Sequence, residues 1–84
     1  MPHLCPVCGY DGLSDAPYDA EGNPSHEICS CCGFEFGYDD RSQGESFSAY
    51  RKKWLADGAE WFDPARKPEN WSLKLQLKRI GVEY

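Results

Sequence analysis

The spacing of hydrophobic and polar residues changes near the middle of the chain. In the first part, aromatic residues occupy every second position over 34–38, which predicts a short strand, and weaker strand signals occur at 10–13 and 27–28, next to the two cysteine segments. Between these weaker signals, residues 14–26 are rich in Asp, Gly, Asn, Pro and Ser, and this composition predicts a loop. A polar linker is predicted at 39–44, and helical spacing begins after it.

The first predicted helix lies directly after this linker. Phe47, Tyr50 and Trp54 fall at i, i+3 and i+7, so they share one helix face. Ser46 is a suitable N-cap, and Gly58 is suited to the position just after the helix. The sequence therefore predicts an ordinary amphipathic helix here.

The segment 72–80 fits two patterns. Three apolar residues at i, i+4 and i+7 predict a helix: Leu73, Leu77 and Ile80. Asn70 or Ser72 would cap this helix and Gly81 would end it. The regular alternation of leucine with polar residues also fits a strand. Helix is favoured because Leu, Lys and Gln are good helix formers and no β-branched residue precedes the isoleucine.

Length and cysteine usage narrow the class of protein. A chain of 84 residues allows one domain with a small core, and chains of this size often need a metal or disulfides to fold. Residues 1–5 contain no basic start, apolar run or cleavage site of an export signal. No stretch is expected to cross a membrane. Because the number of cysteines is odd and four of them form two CxxC pairs, these pairs are expected to bind metal in a reducing cytoplasm rather than to form disulfides.

Charge divides the chain at the same point as the hydrophobic pattern. Residues 1–40 carry a formal charge of −8, with no Lys or Arg, whereas 41–84 carry +3. Because an acidic surface repels phosphate, we expect the first part not to bind nucleic acid. Nucleic-acid binding by the second part is an alternative that depends on its basic residues: Arg51, Lys52, Lys53, Lys74, Lys78 and Arg79.

Two segments repeat one motif. Residues 5–10 (CPVCGY), the first knuckle, and 29–34 (CSCCGF), the second knuckle, each place two cysteines three positions apart before a glycine. The glycine tolerates the positive φ of a tight turn that directs N–H groups at the sulfurs. Two such halves supply the four ligands of a closed zinc site. The predicted ligands of one Zn²⁺ ion, with iron as the alternative metal, are Cys5, Cys8, Cys29 and Cys32.

Four protein thiolates leave no open position on the metal for an activated water. The sequence also shows no nucleophile, base and orienting-group pattern and no phosphate-binding glycine loop. We therefore expect no enzyme activity and no small-molecule substrate.

Cys31 is the fifth cysteine. It could replace Cys29 or Cys32, but only the Cys29 and Cys32 pair reproduces the frame of the first knuckle, so Cys31 is interpreted as a thiol that does not bind the metal. Redox exchange with the bound thiolates is a weaker alternative. His3 and His26 lie next to the knuckles and are interpreted as surface or supporting residues, because no cysteine ligand is missing.

The second part is rich in aromatic residues. Trp54, Trp61 and Trp71 are expected mainly to form the core that joins the helices to the first part. A partly exposed tryptophan beside basic residues would also suit a protein partner.

The two knuckles, followed by Tyr38-Asp39-Asp40, resemble the bacterial cysteine-rich CPCC-type proteins. The later pattern resembles the tail that accompanies such ribbons: Tyr50, Trp54, Gly58, Trp61, Pro68, Trp71 and Gln76-Leu77. The resemblance covers nearly the whole chain and implies a zinc-ribbon-like domain without a defined activity. The second knuckle departs from the pattern, because Ser30-Cys31 stands where a proline is common.

The knuckles also resemble those of rubredoxin, in which two CxxCG segments hold iron. This local resemblance implies electron transfer as an alternative function. The spacer is shorter than is typical of rubredoxins, and 50 residues follow the second knuckle where rubredoxins usually end.

Together these patterns predict a small α+β protein with a single domain over 1–84. Residues 1–40 are expected to form a zinc ribbon, with two CxxCG knuckles on short β-hairpins. Residues 41–84 are expected to form two short helices and a Trp-rich subdomain packed on the ribbon. The expected function is a structural zinc ribbon that contacts a protein partner.

Overall fold

The two knuckles fold into matching turns, as the repeated motif predicts. The computed structural model describes residues 3–84, so the first two residues of the predicted ribbon lie outside the described residues. In each knuckle the glycine N–H donates to the carbonyl of the first cysteine, at 2.8 Å and 2.9 Å. The N–H of that cysteine donates to the carbonyl of the residue after the glycine, at 2.8 Å and 3.0 Å. Gly9 and Gly33 have φ values of 82° and 79°, which favour glycine.

Extended strands are replaced by isolated contacts. Within residues 3–84, strand pairing consists of three antiparallel bridges: His3 with Leu13, Tyr18 with Pro24, and Ile28 with Glu35. The first and third bridges flank the two knuckles, and within residues 3–84 neither extends into the short β-hairpin expected there. The turn-forming residues of 14–26 interrupt further pairing between the knuckles.

The strand expected at 34–38 does not form, and in this segment only Glu35 makes a bridge, to Ile28. Phe34 and Phe36 are fully buried, but Tyr38 begins a single π-helical turn, Tyr38–Ser42. The Gln43 N–H donates to the Tyr38 carbonyl at 2.9 Å, which closes this turn. Part of the predicted polar linker is therefore helical.

Both predicted helices are confirmed. Helix α1 spans Phe47–Ala56, and the Ser46 hydroxyl accepts a hydrogen bond from a backbone N–H of its first turn at 3.1 Å. Gly58 follows it with φ 98°. A 3₁₀ turn, Pro64–Arg66, lies between the helices.

Helix α2 spans Leu73–Lys78 and is capped by the Ser72 hydroxyl at 3.3 Å. The alternative strand would have placed Leu75 on the same face as the neighbouring leucines. Instead Leu75 is 63% exposed and Gln76 is buried, as helical geometry requires. Among the helices of residues 3–84, none has the length and apolar character needed to span a membrane.

The core lies between the two knuckles and the second part of the chain. Aromatic edge-to-face contacts join them: the Phe34 ring contacts Phe47 and Tyr50 on α1, with centroids 5.4 Å and 4.9 Å apart. Trp61 contacts Tyr10 and Trp71 in the same way, at 5.5 Å and 5.6 Å. These contacts agree with the expected core role of the aromatic residues.

Helix α2 approaches the first knuckle so closely that only glycine fits at position 9. A Cβ atom built on Gly9 would lie 2.1 Å from the Gln76 carbonyl oxygen. Gly22 has nearly the same φ, 84° against 82°, but a Cβ there meets nothing within 4 Å. Both positions therefore require a positive φ, but only position 9 also requires the absence of a Cβ atom.

Gly9→Ala should destabilise the fold far more than Gly22→Ala. Both variants place alanine at positive φ, which costs about 1 kcal/mol, and only Gly9→Ala also forces α2 away, for a total of about 3 kcal/mol. Urea unfolding followed by circular dichroism measures both. Equal losses in the two variants would contradict the close approach.

Candidate metal centre

Four of the five cysteines form one buried cluster. The Sγ atoms of Cys5, Cys8, Cys29 and Cys32 all lie within 4.8 Å of one another. The structure therefore brings together the four sulfurs that the repeated motif predicts as ligands. Each knuckle supplies two of them, and the closest pairs join the two knuckles.

The sulfur separations fit a tetrahedral thiolate site. The Cys5 and Cys32 sulfurs are 3.8 Å apart and the Cys8 and Cys29 sulfurs are 3.6 Å apart. Metal–sulfur bonds of about 2.3 Å in a regular tetrahedron require an edge of about 3.8 Å. These two separations are close to that edge, so the cluster could hold a metal ion of the size of Zn²⁺. Iron bound by four cysteines would use the same sulfurs.

The thiols of the cluster influence one another strongly. Hydrogen bonds from the neighbouring thiols, first of all Cys32, lower the pKa of the Cys29 thiol. The pKa of Cys8 is raised, chiefly through its hydrogen bond with Cys29. The pKa of Cys32 is also raised, again mainly through its hydrogen bond with Cys29. The S–H groups of the neighbouring cysteines thus stabilise one thiolate, that of Cys29. Four adjacent thiolates would repel one another unless a cation lay between them.

Cys31 occupies the position that Val7 occupies in the first knuckle. Each is the third residue of its knuckle, and both are fully buried. Cys31 is not among the four clustered ligand candidates, and its sulfur accepts a hydrogen bond from the Gln76 amide at 3.2 Å. A buried cysteine commonly acts as a small apolar residue, and this position supports that interpretation.

The histidines lie outside the cluster. His3 is exposed and pairs with Leu13 through the backbone. His26 is exposed and has φ 60°. Neither belongs to the group of possible metal ligands that the structure places together among residues 3–84.

Side chains of the two helices bind the outward-facing carbonyl groups of the first knuckle. The Arg51 guanidinium on α1 donates to the carbonyls of Val7 and Pro6, at 2.6 Å and 3.0 Å. From α2, the Gln76 amide donates to the Cys8 carbonyl at 3.0 Å. These bonds supply donors that the knuckle itself lacks.

The carbonyl groups of the second knuckle are bound mainly by backbone. The N–H groups of residues 62 and 63 donate to the carbonyls of Cys31 and Ser30, at 2.9 Å and 2.8 Å. The Tyr50 hydroxyl on α1 donates to the Cys32 carbonyl at 3.0 Å. Partial burial raises the pKa of Tyr50 to about 12, so the donating hydroxyl stays protonated at neutral pH.

Gln76 is the functional residue that sequence reasoning missed. It is only 4% exposed, and its carbonyl oxygen accepts a hydrogen bond from the Trp71 indole at 2.7 Å while its amide serves the first knuckle. One local feature of the sequence indicates this role. The helix face built on Leu73, Leu77 and Ile80 also includes position 76, and a polar residue buried there needs a hydrogen-bond partner.

The structure bears on two expectations about the second part. Trp54 and Trp61 are 7% and 8% exposed, so they are core residues, as expected, whereas Trp71 is partly buried with the Lys67 Nζ 5.2 Å from its ring centre. Arg51 and Arg79 are engaged within the protein, Arg51 at the first knuckle and Arg79 with the Gly9 carbonyl at 3.4 Å and with Asp11. These two arginines are therefore less available to bind nucleic acid than their positions in the sequence suggest.

The fold and the cluster define a small protein with few helices and four cysteines that could hold a metal ion. The chain is 38% identical to the uncharacterised protein YoaQ of Bacillus subtilis (strain 168), over 80% of this chain and 69% of YoaQ. It is 36% identical to the uncharacterised protein YozI of the same organism, over 82% of this chain and 71% of YozI. The chain belongs to the family that includes YoaQ and YozI.

No family model and no solved structure matches the chain. The resemblance to CPCC-type proteins and the local resemblance to rubredoxin therefore stay predictions.

Gln76→Leu should destabilise the protein by about 3 kcal/mol, because it leaves the buried Cys8 carbonyl without a donor and the Trp71 indole without an acceptor. Gln43→Leu is the matched control. The Gln43 side chain is exposed and bonds only the Tyr38 hydroxyl, so its loss should cost about 0.5 kcal/mol or less. Urea unfolding of both variants tests this difference, and similar losses would show that Gln76 is not a connecting residue.

Proposed function

We propose that the four-cysteine cluster binds one zinc ion, and that this structural zinc stabilises the fold of a zinc-ribbon-like domain. The convergence of four buried sulfurs at tetrahedral separations is the observation that carries the proposal. A set of four protein ligands fills the coordination shell of zinc, which is typical of structural rather than catalytic sites.

The contacts around the knuckles support a structural role. Donors from both helices and from residues 62–63 reach the carbonyls of the knuckles, so the second part folds against a surface that the cluster shapes. Binding of a structural zinc contributes on the order of 10 kcal/mol to folding in zinc-finger peptides. In a chain of 84 residues with a small core, such a contribution is large compared with the total stability.

The neighbouring cysteines of the second knuckle provide the sharpest test. Wild-type protein purified from its native host should contain one zinc per chain. Cys29→Ser and Cys32→Ser should lose most of this metal, whereas Cys31→Ser should retain it because Cys31 is outside the ligand set. Inductively coupled plasma mass spectrometry gives the metal content, and circular dichroism shows whether removal by a chelator melts α1 and α2.

Three results would contradict the proposal. Full metal content in Cys29→Ser would exclude Cys29 as a ligand. Metal loss in Cys31→Ser equal to that in the other two variants would show that the proposed ligand set is wrong. A red protein containing iron would favour the rubredoxin-like alternative, because zinc thiolate sites have no visible absorption.

The role of the domain toward other molecules is a separate proposal. We propose a protein contact, supported by the closed ligand set and by the large exposed aromatic residue Phe62, which is 62% exposed. Phe62→Ser is a suitable variant for pull-down experiments, since Trp54 and Trp61 are core residues whose loss would damage the fold. Catalysis and nucleic-acid binding are not part of this proposal.

A further inference from the structure

The four clustered cysteines differ in their access to solvent. Cys5, Cys8 and Cys29 are fully buried, whereas Cys32 keeps 6% of its surface exposed. Cys31, the thiol outside the cluster, is fully buried as well. All four cysteines are therefore buried, and Cys32, which marks the Cys32 corner of the cluster, is the least deeply buried.

Cys32 is also the one clustered cysteine that lines a cleft of about 310 Å³, which lies beside α1 and the segment that follows it. Apart from Cys32, the cleft is lined by two aromatic and three charged residues: Tyr50, Trp54, Lys53, Asp57 and Glu60. Tyr50 and Trp54 form hydrogen bonds that fix the walls, to the carbonyls of Cys32 and Glu60 at 3.0 Å and 2.8 Å. The cleft is thus held open by ordered residues.

The cleft carries a net negative charge. Asp57 and Glu60 are exposed carboxylates, and the Lys53 ammonium forms an ion pair with Glu45 outside the lining. The lining holds two carboxylates and one ammonium, and a cleft with net negative charge attracts cations and repels anions. Cations and neutral molecules are therefore favoured in the cleft over anions.

We propose that the Cys32 corner is the ligand-exchange edge of the metal centre, where a soft donor such as a thiol or a chelator first contacts the bound metal. This inference rests on the proposed zinc site. Cys32 would give up its bond to the metal as the incoming donor binds, and its released thiolate would take up a proton from solvent. Cys5, Cys8 and Cys29 would continue to hold the metal until further donors replace them.

Limited alkylation of the metal-loaded protein tests the order of access. The protein is treated with substoichiometric iodoacetamide, a neutral reagent that forms a C–S bond and releases iodide, and the modified cysteines are mapped by mass spectrometry. Cys32 should carry most of the first label, because thiol reactivity requires access. First labelling of Cys5, Cys8, Cys29 or Cys31, or labelling of all five at one rate, would overturn the proposal.

A charge-neutralised cleft tests the route independently. In Asp57→Asn/Glu60→Gln, an anionic chelator should remove the metal about threefold faster than from wild type, and this difference should shrink in about 0.5 M salt. Removal by a neutral chelator should be unchanged. The control Glu21→Gln/Glu69→Gln neutralises two exposed carboxylates outside the cleft lining and should match wild type. Equal acceleration in both double variants would show that only net charge matters and would reject the cleft as the route.

Metal content measured before each experiment separates the two proposals. A protein without bound metal contradicts the proposed zinc site. A protein with one metal whose cysteines react in another order contradicts only the exchange edge.

Discussion

The outward-facing carbonyl groups of the two knuckles are the constraint on which the rest of the structure depends. Each knuckle is a tight turn that directs two sulfurs at the common centre of the cluster. Several of its backbone carbonyls point away from that centre, toward the remaining chain. Buried carbonyls need donors, and the knuckles have none to spare. Arg51, Gln76 and Tyr50 supply them from the two helices, together with two backbone N–H groups at residues 62–63. The second part therefore completes the hydrogen bonding of both knuckles.

The two knuckles are alike in backbone but differ in how they are supported. Side chains of Arg51 and Gln76 reach the first knuckle, whereas the second is bound mostly by the backbone of 62–63. A backbone donor places few demands on residue type, so the chain can differ there without losing the contact. A side-chain donor must be a particular residue at a particular position of a helix. The need for side-chain donors at the first knuckle thus explains why Gln76 is buried and Arg51 is partly buried.

Local signals in the sequence predict the elements better than their arrangement. The CxxCG repeats, the caps at Ser46 and Ser72 and the glycine after α1 each act within a few residues, so their effects can be read directly. The bond between Gln76 and Cys8 spans 68 positions, and no local pattern specifies such a partner. The strand expected over 34–38 is reduced to one bridge, Ile28 with Glu35, because the alternation there reflects mainly the burial of two phenylalanines.

The division of charge along the chain has an internal explanation. Four thiolates around a divalent cation carry a net charge of about −2, which adds to the acidic first part. The Arg51 guanidinium lies against the carbonyls of the first knuckle, and Arg79 lies against the same knuckle beside Asp11. Both place positive charge next to the cluster that the proposed metal would leave negative, and partly buried charges interact more strongly than exposed ones. Part of the basic second half is therefore complementary to the acidic first half within the same chain, and its charge need not indicate an external phosphate.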